Sequence, residues 1–221
     1  MKIDLTEIYK GLAEWRAERG ITAESQKAGY LVNVMEELGE LAQALRDKAE
    51  YEIIDALCDI SVFTINAGAD IPCENKISGI ENNIFQTYKT YETLLNACGG
   101  YSIGFNACAF NGVLRTCAVL CYKLGFDFQK AMDETIKEIS SRTGAYDEKA
   151  KKWVKDESDE AKAKWYQANY ELARIELGDF CEIAESAETD LNSRILKIEN
   201  ALKYASDFNE FKAFCLEGSD E

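Results

Sequence analysis

The chain has 221 residues, 47% of them hydrophobic, and a formal net charge of −15. Its size and apolar content suffice for a packed core and exclude wholesale disorder, while the charge argues against nucleic acid or an anionic membrane surface as partner. Histidine is absent, which excludes a Ser-His-Asp triad, a Cys-His dyad, an HExxH zinc site and the Glu-x-x-His motif of di-iron bundles.

Leu5, Ile8, Tyr9, Leu12 and Trp15 recur at helical spacing, which predicts a first helix over 5–19 closed by Gly20. Thr22 to Ser25 is a start for a second helix reaching about Lys48. A third is predicted over 51–69 and is stopped at Ile71-Pro72, the single proline. A fourth is predicted over 75–97, before Gly99-Gly100 breaks the chain. A strongly apolar fifth follows over 105–124. Asp127 is the expected N-cap of a sixth helix through about Ser141.

Residues 143–159 are polar and show no clear period. Two further helices are predicted over 160–187 and 190–216. No strand alternation is long enough to trust. The reading is all-α, with a bundle over 1–145 and a helical C-terminal extension over 146–221. No run of 18 apolar residues occurs, so no membrane span is expected. The first ten residues are amphipathic and acidic, unlike a signal peptide. The eight cysteines form no CxxC pair, and several lie in apolar stretches; they read as reduced core residues of a cytoplasmic protein, though their number alone is also compatible with disulfides.

Without histidine, hydrolytic chemistry must run on carboxylates, metals, lysines or hydroxyls. Two segments carry acids where a core helix should not. In 31–45, Asn33, Glu36, Glu37 and Glu40 share an arc of roughly 100°, and most of the remaining circumference is Leu, Val, Met and Ala. In 53–67, Asp55 and Asp59 are the charged residues, and with Glu52 and Asn66 they share an arc of roughly 60°. Burying one unpaired carboxylate costs several kcal/mol. A divalent cation removes that cost, and an all-oxygen ligand set suits Mg²⁺ or Mn²⁺ rather than zinc. The carboxylates are therefore expected to converge on one point between the second and third helices. The plainer reading is a solvated acidic face, with Asp55 and Asp59 paired to Lys or Arg.

Glu36-Glu37-Leu-Gly-Glu40-Leu followed by Glu52-Ile-Ile-Asp55-Ala-Leu-Cys-Asp59-Ile resembles the EExxE…ExxD signature of the all-α nucleotide pyrophosphohydrolases. That superfamily includes MazG, dimeric dUTPases and phosphoribosyl-ATP pyrophosphohydrolase, and the pattern here is similar to the small MazG-like proteins of phages and prophages. Gly125-Phe-Asp through Ser141-Arg142-Thr-Gly144, then Lys152-Trp153 and Trp165-Tyr166, extend the likeness over most of 25–170, with an apparent insertion around 74–115. One register pairs Glu52 with Asp55 and leaves Asp59 extra. The other makes Asp59 the motif aspartate and puts Ala56 where a glutamate belongs.

The resemblance implies Mg²⁺-dependent hydrolysis of a nucleoside triphosphate to monophosphate and pyrophosphate. Glu37, Glu40, Asp55 and Asp59, with Glu52 in one register, would hold Mg²⁺ or Mn²⁺, and Glu36 would orient and deprotonate the attacking water. Arg142 and Lys152 are candidates for the phosphate tail, and Asn33 and Asn66 for substrate contacts. The family also implies a homodimer or homotetramer. Two alternatives stand beside this reading. One is a catalytically silent helical interaction protein. The other is dUTPase or phosphoribosyl-ATP pyrophosphohydrolase activity on the same scaffold.

Overall fold

A computed structural model describes residues 2–72, 76–78, 90–147 and 152–176. The described chain is mostly helical, as expected. Its helices are α1 (Thr6–Glu18), α2 (Ala23–Asp47), α3 (Glu50–Ala67), α4 (Thr90–Gly104), α5 (Ala107–Lys123), α6 (Phe128–Ser141) and the short α7 (Asp159–Lys162). None of them is long and apolar enough to cross a membrane.

α3 is the axis of the core. It packs against α1, α2, α5 and α6. Ile53, Ile54, Leu57, Cys58 and Ile60 along it are fully buried. Each such Ile or Leu contributes about 1.5–3 kcal/mol of apolar burial. Side-chain caps set the starts of α2 and α6. The Thr22 hydroxyl accepts from Ser25 N at 3.1 Å, and the Asp127 carboxylate accepts from Lys130 N at 2.9 Å. Tyr30 of α2, Tyr101 of α4 and Phe110 of α5 stack into an aromatic wedge, with Tyr30 and Tyr101 edge-on at 5.0 Å. Cys58, Cys98, Cys117 and Cys121 are free and buried, as read from their apolar surroundings, whereas Cys108 is exposed.

Four expectations need correction. Residues 76–78 are not helical. They form β2 (Lys76–Ser78), which pairs antiparallel with β1 (Lys2–Asp4), Ile3 opposite Ile77. Both isoleucines are 3% exposed, so this pairing buries apolar surface that a helix there would leave bare. Gly99-Gly100 does not break the chain. α4 runs on to Gly104, and the turn falls at Phe105 (φ 42°), before Asn106 caps α5. Packing of Tyr101 in the aromatic wedge outweighs the glycines' cost of about 1 kcal/mol each.

Residues 144–147 and 152–155 are strands, β3 (Gly144–Asp147) and β4 (Lys152–Lys155), paired antiparallel with Gly144 opposite Lys155. Gly144 has no room for a side chain: a Cβ would overlap the Val154 carbonyl and the Trp153 ring.

The helix expected over 160–187 does not form across 163–176. That stretch carries only a single 3₁₀ turn, Tyr170–Ala173. Two α6 carboxylates capture the backbone N–H groups a helix would use. Glu138 accepts from Ala168 N at 2.9 Å and Glu134 from Asn169 N at 3.0 Å. The helix expected over 190–216 lies outside the described residues.

Candidate metal centre

Glu37 and Glu40 of α2 face Asp55 and Asp59 of α3. The pairing of these helices fixes the alignment: Lys27 meets Asp70, and Tyr30 meets Thr64 at 3.3 Å, which brings the next turns of α2 opposite Asp59 and Asp55. The four acids act on one another through space. Burial first, then the charges of Glu40, Asp55 and Glu36, push Glu37 up to about 7. Burial, Asp55 and Glu37 hold Asp59 well above the usual carboxylate range. Asp55 is also raised, by burial against the opposing hydrogen bond from Tyr170.

The site draws on three residues that sequence reasoning did not single out. Glu138 of α6 adds its negative charge to Asp55 and Asp59. Lys155 of β4 works against the rise of Glu37. Tyr170, 5% exposed, donates to Asp55 Oδ1 at 2.6 Å and meets the Thr135 hydroxyl at 2.9 Å. The (i, i+4) pair Glu134 and Glu138 was readable as a stripe on α6, but nothing in the chain shows which way that stripe turns.

The other expected residues separate into groups. Glu36 is exposed at the rim, one residue from Glu37. Glu52 is exposed in the first turn of α3 and is not among the main charges acting on Glu37, Asp55 or Asp59. Asn33 is half-buried, one turn before Glu37. Arg142 lies beside the cluster and lowers Asp55 and Asp59, with its guanidinium on Glu138 at 2.6 Å. Lys152 stands in β4 opposite Asp147. Asn66 is fully buried, two turns along α3 from Asp59, and accepts from Arg16 Nη1 at 2.5 Å.

Among the described residues, no three acid or thiol side chains are gathered into a set that would hold a metal ion as they stand. The expected convergence on a single point is therefore not met in this geometry. The chemistry of the donors is nonetheless that of a hard-cation site. Oxygen is the only donor type, and three of the four acids have their charged forms disfavoured by burial and by each other. A cation between α2 and α3 would relieve both effects.

No protein-family model matches the chain, and neither the curated proteins nor the solved structures compared with it include a match.

Proposed function

We propose that the protein is a divalent-cation-dependent nucleoside triphosphate pyrophosphohydrolase. The observation that carries this reading is the acidic face shared by α2 and α3. Glu37, Asp55 and Asp59 lie there, each raised first of all by burial, and the opposing charges of Lys155 and Arg142 only partly offset that rise. The likeness of Glu36-Glu37-x-x-Glu40 and the Asp55/Asp59 segment to the all-α pyrophosphohydrolases agrees with it.

Glu37, Glu40, Asp55 and Asp59 would hold the cation. A cation there supplies neutralisation of the polyphosphate and acidifies a nearby water. Glu36, at the rim, takes the proton as the water oxygen bonds to the α-phosphorus. The bridging P–O bond to the β-phosphate breaks, and pyrophosphate leaves. Tyr170 orients Asp55, and Arg142 offsets the negative charge on the α6 side.

A homo-oligomer belongs to the same proposal. Leu31, Val32 and Met35 on the outer face of α2 are 53%, 61% and 63% exposed. A second copy laid on that face would cover them.

The test is purified protein with the common NTPs, dNTPs and dUTP, with Mg²⁺ or Mn²⁺, products resolved by chromatography. Monophosphate and pyrophosphate in equal amounts support the reading. Orthophosphate as the product, or no turnover with either metal, defeats it. The substrate panel also separates a dUTPase from a broader enzyme.

A further inference from the structure

Arg16 is held unlike its neighbours. Arg19, Arg142 and Arg174 each sit against a carboxylate. Arg16 is half-buried in α1, yet no ion pair among the described residues includes it. Its bonding partner is a neutral one: Nη1 donates to Asn66 Oδ1 at 2.5 Å. Burial alone lowers its pKa, with no acid acting in the other direction. A guanidinium drawn partly out of water without a counter-charge destabilises the fold unless an anion joins it.

Asn66 makes the same point from below. It is 0% exposed, and its Nδ2 has no hydrogen-bond partner. With Oδ1 accepting from Arg16, the unpartnered polar atom of Asn66 is the donor Nδ2, and the rest of the Arg16 guanidinium is donor as well. A donor-rich pair with one positive charge fits an oxygen-rich anion, and a guanidinium matches phosphate oxygens two at a time. The position is also informative. Asn66 follows Asp59 by seven residues on the same face of α3, about 10 Å at 1.5 Å per residue. That separation suits an extended triphosphate together with the reach of the arginine.

We propose that Arg16, positioned by Asn66, binds the β,γ end of the polyphosphate. The substrate then lies along α3, its α-phosphate at Asp59 and its departing pyrophosphate at Arg16. The inference rests on the hydrolase reading for the identity of the ligand, but its binding test does not need turnover.

The experiment measures binding of inorganic pyrophosphate by calorimetry, with Mg²⁺ and again with EDTA, to wild type, Arg16→Ala, Arg16→Lys and Asn66→Ala. A nucleoside monophosphate is the second ligand, and the Mg²⁺-induced melting shift is the control. Arg16→Ala is expected to weaken pyrophosphate about tenfold or more, on the scale of a charge-assisted hydrogen bond, with monophosphate affinity and the Mg²⁺ shift unchanged. Arg16→Lys should recover part of the affinity and serves as the test if the alanine variant fails to fold. Asn66→Ala should also weaken pyrophosphate; a purely structural Asn66 would lower the melting temperature alone.

Unchanged pyrophosphate affinity in Arg16→Ala and Arg16→Lys overturns the inference, as does a wild type that takes up no pyrophosphate. Loss of monophosphate rather than pyrophosphate overturns it too, by placing Arg16 at the nucleoside end. Arg16-dependent pyrophosphate uptake in a protein without turnover or Mg²⁺ shift would support the anion site while defeating the hydrolase reading.

Discussion

The Tyr170 hydroxyl donates to Asp55 Oδ1 at 2.6 Å, across 115 residues of sequence. The bond ties the segment after α7 to the acidic face of α3 and takes one of the two oxygens of a proposed cation ligand. It also opposes the rise in the Asp55 pKa that burial causes. Tyr170→Phe should therefore make Asp55 harder to ionise and free to rotate. We expect Mg²⁺ affinity at pH 7 to fall about tenfold, the scale for loss of an orienting partner. Stability should fall by about 1 kcal/mol. Calorimetric Mg²⁺ titration and denaturant melts check both; a variant that binds Mg²⁺ like wild type would remove Tyr170 from the site.

Glu37 makes stability depend on pH. Its folded pKa, about 7, lies above the ordinary value of 4.5, so the folded state binds more protons than the unfolded chain between those values. Stability from this group is therefore full below pH 4.5 and is lost as pH rises through about 7. Asp55 and Asp59 are raised in the same direction. The metal-free protein should melt several degrees lower at pH 8 than at pH 6, and Mg²⁺ should narrow the gap because it replaces the protons. Melting curves at the two pH values, with EDTA or with Mg²⁺, decide this.

Asp59→Asn removes a charge that burial, Asp55 and Glu37 all disfavour. The metal-free variant should be as stable as wild type at pH 8, or slightly more so. Its Mg²⁺-induced melting shift should shrink to that of Na⁺ at matched ionic strength. A cation bound only by the folded state adds about 2.7 kcal/mol at 100 times its dissociation constant, so the wild-type shift should be easy to read. An Asp59→Asn variant that is destabilised and keeps the Mg²⁺ shift would show a plain structural role.

Glu36 and Glu37 are neighbours with different surroundings, one exposed and one half-buried. Glu36→Gln should lower turnover about 10²-fold or more, the scale of general-base loss, and leave Mg²⁺ affinity intact. Glu37→Gln should weaken Mg²⁺ binding. Single-turnover rates and Mg²⁺ titrations on both variants separate the roles; the reverse pattern would exchange them.

The acidic stripes were legible because a 3.6-residue period and a run of apolar neighbours place Glu37, Glu40, Asp55 and Asp59 on defined faces. The caps Thr22 and Asp127 were legible because they act over three residues. Glu138, Tyr170 and Arg16 were not. Each reaches its partner through tertiary packing: the Tyr170–Asp55 and Arg16–Asn66 bonds span 115 and 50 residues. The segment over 163–176 misled for a related reason. Its own spacing favours a helix, but Glu134 and Glu138 offer its backbone N–H groups charged acceptors from another element. The β1–β2 pair escaped notice because three residues are too short to show alternation.

Glu134 is 2% exposed and takes hydrogen bonds from Lys137, Tyr166 and Asn169. Burial would raise its pKa, but these donors outweigh it and hold the carboxyl below its usual range. Two of the three donors are synthesised some thirty residues after it, on the order of a few seconds later at ribosomal speed. Without that later stretch Glu134 lacks two of the three hydrogen bonds that accompany its burial. One short stretch of chain, 166–170, therefore both satisfies the buried Glu134 and supplies the Tyr170 contact to Asp55 on the acidic face.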